Sequence, residues 1–154
     1  MISFNQILPE LYVGSFPETS ADIEALKIRC SITAVLNLQS DEDLRERGLA
    51  WPILAGYYRA RGIEVRRFAM RDGDPEDQRL KLPDAVHTLA TLLSSGHTVY
   101  LHCNAGLGRS PLVAMAYLHW YRGRPLAEAV EHVRERRPGC VPYVHLLLDG
   151  RKGP

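Results

Sequence analysis

Short apolar runs alternate with amphipathic stretches along the chain. Residues 32–38 are brief, apolar and β-branched, which predicts a buried strand, and residues 63–68 and 98–101 also read as strands. Ile7-Leu8 and Leu11-Tyr12-Val13 bracket Pro9 and predict a hairpin-like start. Helical patterns separate the strands. Thr19 or Ser20 can cap a helix to about residue 28. Charged residues 41–47 form a short helix ended by Gly48, and residues 52–61 form another. Residues 70–79 are polar and contain Gly73 and Pro75, so they read as a loop. Leu82, Val86, Leu89, Leu92 and Leu93 recur at helical spacing until Gly96 stops them. Pro111 suits the first turn of a helix to about residue 121; Pro125 opens another to about 136, and 144–148 form a short last one. The alternation defines an α/β fold with a central, mostly parallel mixed sheet flanked by helices.

The chain has 154 residues and no repeat or low-complexity linker, which predicts a single domain over residues 1–154. Nineteen basic and 18 acidic side chains leave a net charge of +1, so no nucleic-acid or membrane partner is expected from bulk electrostatics. The first residues show no basic n-region followed by an apolar run, and no stretch approaches the ~20 apolar residues of a membrane span. Cys30, Cys103 and Cys140 are odd in number and widely spaced, which argues against a disulfide framework and for a cytoplasmic, reducing setting. Cys30, expected in a buried strand, and Cys140 read as packing residues; a reversible disulfide to Cys103 is the alternative. His87, His97, His102, His119, His132 and His145 lack ligand spacing, so no metal or cofactor is expected. A monomer is the simplest assembly.

Any taste for anions must come from a local site, and one segment offers it. Residues 99–111 read as strand, loop and helix start, with Cys103-Asn104-Ala105-Gly106-Leu107-Gly108-Arg109 between. Five residues can curl until their N–H groups converge, and Gly106 and Gly108 permit the positive φ such a curl needs. The helix starting near Ser110 aims its dipole at the same point. Arg109 can add a planar fork to two anion oxygens. The same field stabilises a thiolate at Cys103, as it does for cysteines at helix N-termini, whose pKa can fall to ~3.5–7.5. A lone cysteine is usually a packing residue, but here strand, glycines, arginine, serine and helix start coincide. The combination predicts nucleophilic attack on phosphorus, a phosphocysteine, and its hydrolysis.

A leaving alcohol needs a proton donor, and Asp72, Asp74, Glu76 and Asp77 are all available on the preceding loop. Ser110 can donate to the Cys103 sulfur when the intermediate breaks down, or cap the helix. His102 can orient the loop, tune the thiolate or simply sit in the core. Neutral Asn104, Ala105 and Leu107 suit one phosphate on a neutral body rather than a polyphosphorylated head group. Arg134, Arg136 and Arg137 read as a solvated helix end.

His-Cys-x5-Arg-Ser on strand, loop and helix resembles the protein tyrosine phosphatase superfamily, and the size resembles its compact dual-specificity branch. The resemblance implies Cys103 as nucleophile, Arg109 as phosphate clamp, the 104–108 loop as phosphate cradle and Ser110 as helper. It also implies Asp72, 31 positions before Cys103, as acid and then base, with Asp74 second. Residues 7–15, 38–44, 70–72, 103–109 and 111–120 resemble the glucan phosphatases, laforin and the plant starch-phosphate phosphatases among them. A phosphorylated glucan is the substrate so implied, with a phosphoprotein as the alternative. A rhodanese-like sulfurtransferase and an inactive phosphate-binding module fit the acid loop and the intact Cys, Arg and acid less well. Plant members carry an aromatic after the acid where this chain has Gly73. Tyr12, Phe16, Trp51, Tyr57, Tyr58 and Tyr143 are the aromatics that could line a sugar groove instead.

Overall fold

Five strands, β1 (Phe4–Leu8), β2 (Leu11–Gly14), β3 (Ala34–Asn37), β4 (Glu64–Arg67) and β5 (Val99–His102), form one sheet in the order β1-β2-β5-β3-β4. This is a computed structural model, and it describes residues 2–149; the expected domain limits, 1 and 154, lie outside them. The β1–β2 hairpin is antiparallel, while β2, β5, β3 and β4 run parallel to their neighbours. The expected mixed, mostly parallel sheet is therefore present. β3 and β5 are buried along their whole length, as central parallel strands covered on both faces should be.

Alternate residues feed two cores, following the twofold period of a strand. Ala34, Leu36, Val99 and Leu101 pack with helices α4 (Pro75–Ser94), α5 (Arg109–Trp120) and α6 (Leu126–Arg136). Val35, Val65 and Tyr100 face α1 (Ser20–Cys30) and α3 (Trp51–Ala60) on the other side. Helix α2 (Asp41–Glu46) follows β3, and a 3-10 turn (Val144–Asp149) follows α6. Among the described residues no helix is long and apolar enough to cross a membrane.

Two expectations change here. The polar stretch 70–79 is a loop only to Asp74; α4 starts at Pro75 and continues through an internal Pro83 to Ser94. Asp74 caps it by accepting the Asp77 N–H at 3.0 Å, and Pro75 occupies the first turn, where its missing N–H costs nothing. Pro83 read in isolation looks like a helix opener, which hides the first two turns. Cys30 does not lie in a strand: it ends α1, in the core on the opposite face of the sheet from Cys103.

Candidate active site

Strands β2, β5, β3 and β4 all end at one edge of the sheet, the edge where open α/β folds place ligands. The loop after β5 lies there in the middle, between the end of β2 and the β3–α2 connection. Its carbonyls are pulled outward by donors from around it. Asn104 O accepts the Phe16 N–H (2.9 Å) and Leu107 O accepts the Val141 N–H (2.7 Å). Ala105 O and Gly106 O accept from Arg137 Nη2 and Nε at 3.1 and 2.9 Å. Four successive carbonyls are thus held from outside the loop, an arrangement compatible with a main-chain anion nest on its inner side. Cys103 lies at its base, 2% exposed.

The glycines divide their work differently from the expectation. Gly106 alone within the loop has positive φ, 73°. Gly108 has φ −119° and ends the loop as the N-cap of α5, leaving the Ser110 hydroxyl out of the capping position. Ser110 is buried within the first helical turn, and its Oγ lies 3.3 Å from Cys103 Sγ.

Arg109 is 1% exposed, and its guanidinium is divided in two. Nη1 donates to Asp43 Oδ2 at 2.6 Å and to Met70 O at 2.7 Å. Nε has no hydrogen-bond partner although it is buried, and with Nη2 it forms the planar fork left for an anion. Asp43 also accepts from Asn104 Nδ2 (2.9 Å) and the Ser40 N–H (2.9 Å). Burial pulls its carboxyl upward, but the bonds from Arg109, Ser40 and Asn104 outweigh this and hold it below the usual carboxylate range. Gln39 Nε2 completes the Asn104 amide at 2.8 Å, so Asn104 supports the loop with its side chain.

His102 donates from Nδ1 to the Cys103 carbonyl (3.0 Å) and stacks on Tyr100 with ring centroids 5.7 Å apart. Nε2 has no partner. Burial lowers its pKa to about 4, so the ring is neutral at physiological pH and carries its proton on Nδ1.

The four candidate acids separate by geometry. Asp72 lines the cleft, 69% exposed, with Oδ1 3.9 Å from Arg109 Nε. Asp74 caps α4 and lies 3.8 Å from Arg71 Nη1. Glu76 pairs on the surface with Arg79. Asp77 accepts the Arg71 N–H and pairs with Lys81.

The cleft above the cup has a volume of about 960 Å³. Of the six aromatics considered for a sugar groove, Phe16 and Tyr143 line it, joined by Leu49, Leu107 and Val141. Arg47 reaches over the Phe16 ring, its Cζ 5.3 Å from the centroid. Tyr58 is buried in the core against α1, with Tyr12, Trp51 and Tyr57 packed on it. Gly73 stands at the cleft edge with nothing near a would-be side chain.

Two site residues went unread in the sequence. Asp43 gave no signal beyond a capping-box position, Ser40 followed three residues later by Asp43. Arg137 corrects the expectation of a solvated helix end: it is 3% exposed and also donates to Ser3 Oγ (3.0 Å) and Asn5 Oδ1 (2.8 Å). It follows the last turn of α6 at the mouth of a sharp bend, so its side chain turns under the cysteine loop while Arg134 and Arg136 stay outside.

A cysteine at the base of a main-chain anion cup, with a free arginine fork above it, defines the class of cysteine-dependent phosphatase folds. A solved structure of Tk-PTP in its active form superposes with a TM-score of 0.73 at 28% identity, over 95% of this chain and 92% of that one. The chain belongs to the dual-specificity phosphatase catalytic-domain family, whose model matches residues 11–148. It is 34% identical over 148 residues to the phosphoglucan phosphatase DSP4, amyloplastic, of Castanea sativa, covering 95% of this chain and 39% of that protein. It is 30% identical over 145 residues to laforin of Mus musculus, covering 88% of this chain and 44% of that protein. The chain thus spans less than half the length of these two relatives.

Proposed function

We infer that this chain hydrolyses phosphomonoesters through a phosphocysteine, without a metal, and that its substrate is a phosphorylated glucan. The observation that carries the reaction is the free Nε edge of a buried Arg109 above Cys103. Arg109 and the loop N–H groups of residues 104–108 hold the three terminal phosphate oxygens. Cys103 sulfur attacks phosphorus in line; the P–O bond to the substrate breaks, and Asp72 gives its proton to the departing oxygen. Water then attacks phosphorus, Asp72 takes its proton, and the S–P bond breaks while the Ser110 hydroxyl donates to the leaving sulfur.

The glucan reading rests on the composition of the cleft. Beyond Arg109 its cationic side chain is Arg47, which is engaged with Phe16, and the rest of the rim is apolar or neutral apart from Glu18 and Asp72. That surface suits one phosphate on an uncharged body, and Phe16 and Tyr143 offer rings to sugar faces in place of the aromatic missing at Gly73. The similarity to the phosphoglucan phosphatase DSP4 points the same way. A phosphoprotein is the second reading, favoured by the match to the dual-specificity catalytic-domain model. Three unpaired cysteines suit a reducing, cytoplasmic setting, and a single monomeric domain over residues 1–154 is the simplest working unit.

The test is phosphate release from solubilised phosphorylated starch or glycogen, beside para-nitrophenyl phosphate and a phosphotyrosine peptide, without added metal. Release from glucan faster than from the aryl ester is expected. Turnover of the ester and peptide alone would overturn the glucan reading and leave the protein phosphatase. Persistent turnover in Cys103→Ser would overturn the mechanism itself.

A further inference from the structure

The turn that carries Asp72 is gripped at three successive backbone groups. Met70 C=O accepts from Arg109 Nη1 at 2.7 Å. The next N–H, of Arg71, donates to Asp77 Oδ2 at 2.7 Å. The next C=O, also of Arg71, accepts from Gln78 Nε2 at 3.0 Å. Asp72 follows immediately. Both polar groups of the Arg71 backbone are therefore held by consecutive side chains of the first turn of α4, an element already fixed at its start by the Asp74 cap.

Packing alone does not call for these residue types. Gln78 is 2% exposed, and an apolar side chain would fill that space without an amide to satisfy. Asp77 is drawn upward by burial, yet its bonds to the Arg71 N–H and to Lys81 Nζ, 3.1 Å away, hold it below the usual carboxylate range. It is an ion at neutral pH: a poor proton donor and a firm acceptor. An acid loop that had to be ordered at each turnover would pay conformational entropy for it, and a misplacement of about 1 Å can cost about a hundredfold in rate.

We propose that Asp77 and Gln78 are positioning residues for the general acid, clamping the Arg71 backbone so that Asp72 stands in its donor position before substrate arrives. The proposal rests on the reading of Asp72 as the acid. Because Arg109 holds Met70 C=O, the phosphate clamp and the acid share one support, and substrate that engages Arg109 meets a proton donor already in register.

The test compares kcat/KM of the full chain and the variants Gln78→Leu, Asp77→Ala, Asp77→Asn and Asp72→Ala over aryl and alkyl phosphate monoesters of graded leaving-group pKa. Vanadate binding reports the integrity of the cysteine loop. Asp72→Ala should lose activity increasingly as the leaving group worsens, by about a hundredfold or more at the alkyl end. Gln78→Leu and Asp77→Ala should follow the same trend, with losses of about tenfold at the alkyl end. Asp77→Asn, which keeps an acceptor for the Arg71 N–H, should recover most of it, and vanadate binding should stay within about threefold. Losses in Gln78→Leu that are absent, or equal across the series, would overturn the clamp while leaving Asp72 as acid. A flat series for Asp72→Ala would instead overturn the acid assignment and the clamp with it. Should Asp77→Ala fail to fold, Gln78→Leu alone decides.

Discussion

Gly106 lies so close to Gly14 that a methyl group on it would overlap the carbonyl carbon and oxygen of Gly14. The cysteine loop thus rests directly on the end of β2, backbone against backbone, and its curl is set by a neighbouring strand as well as by its own residues.

Gly106→Ala should therefore fail twice. The residue has φ 73°, a conformation costing about 1–3 kcal/mol for a side chain, and the added carbon has nowhere to go, at a similar cost. A melting point lowered by more than about 5 °C and loss of turnover are expected; calorimetry and an aryl phosphate assay check both.

Arg137→Met removes the donors to Ala105 O and Gly106 O while keeping the apolar stem. Two loop carbonyls lose their partners, at about 1–3 kcal/mol each. The cup should lose its shape: turnover falls about 10–100-fold and vanadate binds more weakly. Unchanged vanadate affinity would show that Arg137 serves only the fold.

Asp43→Ala leaves the Arg109 guanidinium buried without its carboxylate, 2.6 Å away in the native protein. Breaking a buried pair costs about 3–5 kcal/mol. Denaturant titration should show that loss. Phosphate affinity should fall with it, because the fork is then free to turn.

Ser110→Ala deletes the hydroxyl 3.3 Å from the Cys103 sulfur. A hydrogen bond to a departing thiolate is worth about 1.5–3 kcal/mol, so breakdown of the intermediate should slow about 10–100-fold. Rapid-quench kinetics should then show a burst of alcohol equal to the enzyme present. Absence of a burst, with slow release of the alcohol itself, would put Ser110 in the first step.

His102 ties stability to pH. Its pKa is about 4 in the fold, against about 6.5 unfolded, so the unfolded chain binds more protons between those values. Stability is full above pH 6.5 and falls as pH drops towards 4, by up to about 3 kcal/mol. Urea midpoints at pH 7 and pH 4.5 should differ accordingly. His102→Asn keeps a donor for the Cys103 carbonyl and cannot titrate, so its midpoint should move less.

Much of this was legible in the chain itself. Strands at 32–38 and 98–101 were visible because a strand buried on both faces is largely apolar, and β3 and β5 are, up to Asn37 and His102 at their ends. The cysteine loop was visible because its parts are consecutive: strand, five residues, arginine, helix. The first turns of α4 were hidden, since their polar face and Pro75 look like a loop until Asp74 is seen to cap them.

What the sequence determined by itself was the chemistry that depends on neighbours along the chain: a cysteine, main-chain donors and an arginine brought together by one turn. What only the tertiary structure decided was everything that reaches that turn from elsewhere. Asp43 lies 66 positions from Arg109, Arg137 lies 31 from Gly106, and Gly14 meets Gly106 across two strands. Such contacts leave no periodicity to read, because each is fixed by the order of strands in the sheet and not by spacing. The different surroundings of the four acids belong with them: nothing in the spacing sets Asp72 beside Arg109 while Asp74 caps α4 and Asp77 holds the Arg71 N–H.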